Sequence, residues 1–474
     1  MVGAVERTGS LFYVALGKQA SLIKDDLLEP IDQLLEDPEL IDLVRKALEG
    51  RRPRSRETGR ESIAPDRLLR CCALKHLKVW SFRQLERELR NGLAYRRFTH
   101  FDDDSIPDYS SFSRQFGLLH GATTAKIHAR VVGRARTERV AVGRKLRTDT
   151  TVAESNIHYP TDSTLLADGV RVLGRAVKRI AAQCAAGAVA AVDHGRAVTH
   201  RVLEIHRAAK SFADTGREKL QDSYCKLLGI TRSVVRQAEK ITADLRAGKL
   251  AITGSSRRVL CEAMKLDHFL PLVAQVMLQT KARVFAGDRH AENKIVSLFE
   301  EHTQVIRKGK VHKPTEFGRL VRIDQVENGV VSNYSVAQGN PADATQWEPA
   351  LSGHQERFDR APELATADRG FYSAANERTA QELGVKRVAL PARGKLSPVR
   401  KALQKQRWFR RALRWRGQIE PGIATLKHRF GMVRAFYKGD QGFQRWVGWS
   451  VITNNLVAIA RTTRKRERRR SASR

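Results

Sequence analysis

The sequence LRTDTT, residues 146–151, is the stretch around which this chain is organised. Basic residues precede it, polar residues follow it, and one carboxylate, Asp149, stands in the middle. It ends a β-rich segment that begins near Val140, which predicts a short strand. We interpret this strand as one that presents Asp149 at a metal site. The rest of the sequence therefore has to supply the groups that act with Asp149.

The overall charge of the chain indicates an anionic partner. Its 474 residues include 86 Lys and Arg against 51 Asp and Glu, a formal net charge of +35. Such a charge attracts polyanions and makes their binding depend steeply on salt. Nucleic acid is the expected partner, and an anionic membrane surface is the weaker alternative because no amphipathic anchor is visible. With 41% hydrophobic residues the chain can also build real cores.

The cysteines predict a reducing environment. They are five in number, widely spaced and without a C-x-x-C pair, which argues against a disulfide framework or a structural zinc site. The N-terminus lacks the basic-then-apolar layout of a signal peptide, and no apolar run approaches the roughly 18 residues of a membrane span. The chain is therefore expected to be soluble and cytoplasmic. The cysteines are Cys71, Cys72, Cys184, Cys225 and Cys261.

The order of the elements predicts an α/β fold divided into six parts. The predicted parts are an N-terminal helical cap with a basic linker (1–60), a helical, helix-turn-helix-like DNA-binding domain (61–138), the first part of a catalytic core (139–162), a helical insertion (163–285), the remainder of the core (286–460) and a basic disordered tail (461–474). The tail is assigned as disordered because it is a run of charge.

Helix signals are clear in residues 61–138. Pro65 opens a helix, Ser81 can cap a second that stops at Gly92, and another starts near Asp108. Short helices that carry surface arginines are typical of a DNA-reading domain. A plain helical bundle explains the same pattern, and the residues alone leave both interpretations open.

The core is predicted to be a mixed sheet flanked by helices. Without the insertion, the strand of Asp149 is followed by a hairpin with the turn sequence Asn328-Gly329, then a helix, a strand that ends at Asp368, a helix, a strand and a helical stretch with Glu420. Strand ends and a helix are places from which separated acids could converge. Asp288 has flanks similar to those of Asp368, but it precedes the hairpin, so the topology disfavours it.

Three converging carboxylates suit the cleavage of phosphodiesters. Two Mg²⁺ ions can activate the attacking oxygen and stabilise the leaving one, and Mg²⁺ prefers oxygen ligands. A lone strand-end aspartate is more often a cap or a turn residue, so the interpretation depends on the joint order of the acids. Pro421 disfavours a helical Glu420, which predicts a helix start or a kink there.

The acids and their flanks resemble the DDE transposases of bacterial insertion sequences. The resemblance rests on TDTT at 148–151, ADRG at 367–370 and the R-x3-E-x6-K spacing of Arg416, Glu420 and Lys427. The N-terminal transposase domain is matched at Leu77, Ser81, Phe82, Leu85, Glu86, Phe98, Pro107, Asp108 and Phe112. The likeness covers roughly residues 60–460, and Leu413 stands where the family usually has a tyrosine.

The resemblance implies an RNase H-like core, with Asp149, Asp368 and Glu420 as catalytic acids that bind Mg²⁺, or Mn²⁺ in its place. It further implies strand transfer at the inverted-repeat ends of an element, by a homodimer acting in the bacterial nucleoid. Contacts to DNA are expected from Arg416, Lys427, Arg369, Trp415, His428 and Arg429. A nuclease that cuts without joining and a non-catalytic DNA-binding descendant are the alternatives.

Overall fold

A computed structural model describes residues 3, 25–51, 54, 61–210, 214–288, 294–307 and 314–473. Within the predicted N-terminal helical cap and linker (1–60), residues 4–24 and most of 52–60 lie outside the described residues. The chain divides into two compact units, one of residues 1–156 with 306–474 and one of residues 157–305. In the described part of the chain, no helix is long and apolar enough to cross a membrane.

The first unit is built on a mixed sheet. Its strands are β1 (Lys145–Ser155), β2 (Gln304–Arg307), β3 (Thr315–Gln325), β4 (Val331–Val336), β5 (Leu364–Ala367), β6 (Arg387–Ala389) and β7 (Arg434–Ala435). The order is β2-β3-β1-β5-β6, with β4 also paired to β3 and β7 to β1. The β1–β3 and β3–β4 pairs are antiparallel, whereas β1, β5 and β6 run parallel.

Helices make up most of the rest of the described chain. They are α1 (Leu28–Leu35), α2 (Pro38–Glu49), α3 (Pro65–Lys78), α4 (Phe82–Asn91), α5 (Leu93–Thr99), α6 (Tyr109–Leu118), α7 (Gly121–Thr137), α8 (Asp162–Ala181), α9 (Gly195–Ala208), α10 (Asp214–Arg246), α11 (Ser256–Phe285), α12 (Trp347–Phe358), α13 (Ala374–Glu382), α14 (Pro398–Lys405), α15 (Arg407–Gly417), α16 (Ile419–Ala424) and α17 (Gly439–Ala472). The predicted α/β class is confirmed.

The register of the sheet places two of the predicted acids side by side. Thr148 of β1 pairs with Ala367 of β5 in the parallel register. Asp149 and Asp368 are the next residues on these two neighbouring chains. Successive side chains on a strand point to opposite faces, so Arg147 and Asp149 point to one face of the sheet and Thr148 and Thr150 to the other.

The predicted hairpin turn is confirmed, and it also fastens the start of β1. Asn328 and Gly329 have φ angles of 55° and 73°, the left-handed values that this turn sequence favours. The carboxylate of Glu327 accepts hydrogen bonds from the backbone N–H groups of the four consecutive residues 142–145, at 2.8–3.3 Å. One charged side chain thus holds the β3–β4 turn beside the first residue of β1.

The N-terminal helices and the last helix share one hydrophobic core. Leu68 and Leu74 of α3 are fully buried in the same cluster as Trp449 and Leu456 of α17. The capping predicted for Ser81 is confirmed. Its hydroxyl accepts a hydrogen bond from the Gln84 N–H, and the side-chain oxygen of Gln84 accepts one from the Ser81 N–H. The packing therefore joins the N-terminal helices to the last helix of the first unit.

The tail predicted to be disordered is helical, and that prediction was wrong for residues 461–472. They continue α17 without a break. Arg464 pairs with Asp26 at 2.6 Å, and the Arg466 guanidinium donates to the backbone oxygens of Glu138 (2.8 Å) and Arg139 (3.0 Å). The sequence shows a run of like charge. It does not show the Asp26 carboxylate and the backbone oxygens that these arginines bind in the fold.

The second unit is a helical assembly of α8 to α11 around its own core. Leu166, Leu173, Leu227 and Val276 are buried in this core. The insertion predicted to be helical (163–285) is interrupted at residues 182–194, which form turns and irregular backbone, and Cys184 bridges to Ile252. The backbone N–H of Ala185 donates to the Ala251 carbonyl at 2.9 Å, a long-range contact that competes with local helix formation.

Lys75 is a charged residue in the core of the first unit. Its side chain on α3 is 2% exposed. Burial, reinforced by the Arg445 guanidinium, lowers the pKa of Lys75 to about 7. Its ammonium group lies 4.8–4.9 Å from the centroids of three aromatic rings, those of Phe82, Tyr437 and Trp446. The rings attract the charged form and so offset part of its desolvation cost.

The folded protein is expected to become more stable as the pH rises from about 7 towards the unfolded pKa of Lys75, about 10.4. Over that range the unfolded chain binds a proton at Lys75 that the folded chain does not, so the free energy of unfolding increases with pH. Lys75→Met should flatten this rise, as measured by denaturant midpoints at pH 7 and pH 9.5. Lys78→Met, at an exposed position of the same helix, is the control and should keep it; an unchanged slope in Lys75→Met would contradict the assignment.

Candidate active site

Asp149 lies at the centre of the candidate site. Its side chain is 15% exposed. Oδ1 accepts a hydrogen bond from the Thr150 backbone N–H at 2.7 Å, and Oδ2 lies 3.1 Å from Nη2 of Arg416. The carboxylate is therefore held in one orientation on the face of the sheet that carries α15 and α16.

Arg416 connects Asp149 to Glu420. The second guanidinium nitrogen, Nη1, lies 3.2 Å from Oε1 of Glu420, whose side chain is 66% exposed. Arg416 and Glu420 are four residues apart, the spacing at which side chains meet on one helix face. A single guanidinium thus brings together two acids that are 271 positions apart in the sequence.

The helix start predicted near Pro421 is confirmed, because α16 begins at Ile419. Glu420 is the second residue of α16 and Pro421 the third, so the missing proline N–H falls in the first turn, where no partner is needed. Gln418 has helical angles (φ −72°, ψ −5°), so α15 leads almost directly into α16. The one-face arrangement of Arg416 and Glu420 therefore survives the proline.

Asp368 directly follows the neighbouring strand β5. Its Oδ1 accepts from the backbone N–H of Gly370 at 2.7 Å, which caps the 3₁₀ turn Arg369–Phe371. The residue is half-buried. The register of β1 and β5 places it next to Asp149 on the neighbouring central strand, whereas Glu420 is linked to Asp149 through Arg416.

A buried arginine that the sequence did not single out holds this edge together. The guanidinium of Arg147 donates to Oε1 of Gln325 on β3 (2.8 Å), to the Trp415 carbonyl (2.8 Å) and to Oε1 of Gln418 (3.3 Å). It thus ties the α15–α16 junction to β1 and β3. Burial lowers the pKa of Arg147 to about 10. The only signal in the sequence was a basic residue two positions before Asp149, on the same face of the strand.

Asp324 is an acid near the site that faces the other way. It lies on β3 opposite Thr148, is fully buried, and accepts from the Thr148 hydroxyl (3.1 Å) and from Nε of Arg322 (3.1 Å). Burial raises its pKa to about 6, although Arg322 and Thr148 act in the opposite direction. Its bonds belong to the face opposite Asp149, where they support the sheet.

The residues predicted to contact DNA differ in their surroundings. Arg369, His428 and Arg429 are exposed, whereas Lys427 is half-buried. The ring of Trp415 is covered by the Arg147 guanidinium, 4.8 Å from its centroid. Leu413, at the position of the family tyrosine, packs against the cluster of Ala389, Phe409 and Ala412.

Among the described residues, no group of three or more His, Cys, Asp or Glu side chains lies close enough together to form a metal site as it stands. The donor set nevertheless suits a hard divalent cation, because its side chains are carboxylates. Arg416 provides a positive charge between Asp149 and Glu420, so this position already accommodates a cationic group. Carboxylates drawn together around a positive charge fit the chemistry of Mg²⁺ or Mn²⁺.

The mixed sheet with flanking helices is consistent with an RNase H-like fold. Residues 325–456 match the family model of the transposase DDE domain, and residues 18–117 match that of a transposase domain (DUF772). The chain is thus a DDE-type transposase of the insertion-sequence kind. This family consists of metal-dependent polynucleotidyl transferases that act on DNA. No curated protein and no solved structure matches the chain.

Proposed function

We propose that this transposase catalyses Mg²⁺-dependent strand cleavage and strand transfer at the inverted-repeat ends of an insertion sequence, with Asp149, Asp368 and Glu420 as its catalytic acids. The observation that carries the proposal is the double contact of Arg416 with Asp149 and Glu420, beside strand β5, which Asp368 directly follows. These acids come from three separate parts of the chain. The two contacts of Arg416 and the register of β1 with β5 support their convergence on one site.

Each residue has a separate task in the proposed reaction. Asp149, Asp368 and Glu420 would hold Mg²⁺, which in such sites activates the attacking oxygen and stabilises the leaving one. Arg147 keeps the α15–α16 junction against the sheet, so that Glu420 stays within reach of Asp149. Arg416 holds the two acids in place and, with Lys427, positions phosphates of the DNA.

The two chemical steps balance without a covalent protein–DNA intermediate. In cleavage, a water oxygen forms a bond to phosphorus and the bond from phosphorus to the 3′ oxygen breaks, which leaves a 3′-hydroxyl and a 5′-phosphate. In transfer, that 3′-hydroxyl forms a bond to a phosphorus of the target, and a target 3′-hydroxyl leaves. Each attacking oxygen loses a proton and each leaving oxygen gains one, so no redox partner is needed.

Residues 61–138 are proposed to form a helix-turn-helix-like domain that recognises the ends of the element. The helical insertion is proposed to comprise residues 163–285. A homodimer is proposed because two ends have to be joined. The exposed guanidinium groups of Arg369 and Arg429, together with the exposed ring of His428, support contacts to phosphates. The net charge of +35 favours DNA as the partner in general.

The test uses labelled DNA that carries the inverted repeats flanking the coding sequence. With Mg²⁺ and a target plasmid, the full-length protein should release the 3′ end and produce a joined product. Cleavage without joining would favour a nuclease of the same fold. Binding without either product would favour a non-catalytic DNA-binding protein.

A further inference from the structure

Asp343 is a carboxylate beside the site that the sequence did not single out. It begins the 3₁₀ turn Asp343–Gln346, directly before α12. Its Oδ1 accepts a hydrogen bond from the hydroxyl of Thr150 at 2.7 Å. Because Thr150 follows Asp149 on β1 and points to the opposite face, Asp343 approaches the site from the side of the sheet opposite Arg416.

The second oxygen of Asp343 faces Asp368 across a glycine. A Cβ atom on Gly370 would lie 2.7 Å from Oδ2 of Asp343 and 3.0 Å from Oδ1 of Asp368. A side chain at this position would push these carboxylate oxygens aside, whereas glycine leaves room for both. One oxygen from each acid thus borders the same small space at the end of β5.

We propose that Asp343 is a positioning residue of the catalytic site, whose negative charge strengthens the binding of a divalent cation by Asp368. The inference rests on the proposed function and extends it to a fourth acid. Two carboxylates that border one space repel each other, and a divalent cation nearby relieves that repulsion. Affinity for such cations increases with the number of charged oxygen ligands and neighbours.

A purely structural role is the competing explanation, since Asp343 also accepts from Thr150. Two substitutions separate the roles. Asp343→Asn keeps an oxygen that can accept from the Thr150 hydroxyl but removes the charge. Thr150→Val removes the hydroxyl but leaves the charge. Glu348→Gln makes the same charge change as Asp343→Asn at an exposed position in the first turn of α12, and it serves as the matched control.

The experiment measures Mn²⁺ binding to each full-length protein by titration calorimetry, together with the melting temperature without metal. We expect Asp343→Asn to raise the Mn²⁺ dissociation constant about tenfold, the lower limit of the loss typical when a neighbour of a metal ligand is removed. Its melting temperature should stay close to that of the wild type. Glu348→Gln should leave both quantities unchanged, and Thr150→Val should affect the melting temperature more than the dissociation constant.

An unchanged dissociation constant in Asp343→Asn would overturn the inference. So would a Thr150→Val variant that weakens Mn²⁺ binding as much as Asp343→Asn does, because the hydrogen bond would then explain the loss. Either result leaves the proposed function intact as long as Asp149→Asn still abolishes binding and cleavage. A wild-type protein that binds no Mn²⁺ would instead overturn the proposed function, and the inference with it.

Discussion

Asp149→Asn is expected to abolish strand cleavage and strand transfer, with a loss of more than about 100-fold. Removing a residue that neighbours a metal ligand typically lowers metal affinity or activity about 10- to 100-fold. Removing a direct ligand should lower them further. The amide can still accept the Thr150 N–H, so the fold should persist. What is lost is the negative charge that faces both the cation and Arg416. The measurement is the rate of 3′-end release from labelled inverted-repeat DNA.

Two controls show whether this loss is chemical. Circular dichroism and the melting temperature should match those of the wild type, since the substitution is isosteric. Asp267→Asn removes the same charge at an exposed position of α11, and it should cleave at the wild-type rate. Cleavage by Asp149→Asn at the wild-type rate would contradict the assignment of Asp149 as a catalytic acid.

Gly318→Ala is expected to destabilise the first unit by about 3 kcal/mol, the upper part of the usual range for overpacking. Gly318 of β3 pairs with Glu154 of β1. A Cβ atom there would overlap the Ala153 carbonyl oxygen and lie 2.7 Å from the Glu154 Cα. Because these are backbone atoms of the paired strand, they cannot turn aside as a side chain can. The two strands would have to separate, and β1 carries Asp149.

Chemical denaturation provides the measurement, and the same substitution elsewhere provides the control. Gly133 lies in α7 of the same unit, and a Cβ atom there would meet nothing within 4 Å. Gly133→Ala should therefore be neutral or stabilise the protein by up to about 1 kcal/mol, because alanine is the better helix former. Equal free energies of unfolding for Gly318→Ala and Gly133→Ala would contradict the tight pairing of β1 with β3.

Elements with strong local signals could be predicted from the sequence. The turn at Asn328-Gly329 and the cap at Ser81 depend on a few adjacent residues, and both are as predicted. The helicity of residues 461–472 could not be predicted, because it depends on acceptors at Asp26 and Glu138 far away in the chain. The same limit applies to Arg147, whose partners on β3 and at the α15–α16 junction are brought to it only by folding.

The sequence by itself determined the class of this protein and the order of its acids, because strand and turn signals are local and the R-x3-E-x6-K spacing is read along one stretch. Only the tertiary structure decided how the acids meet. The guanidinium of Arg416 contacts both Asp149 and Glu420, and Gly370 leaves room for Asp343 beside Asp368. These contacts depend on sheet register and helix packing, which join residues hundreds of positions apart and leave no periodic signal in the chain.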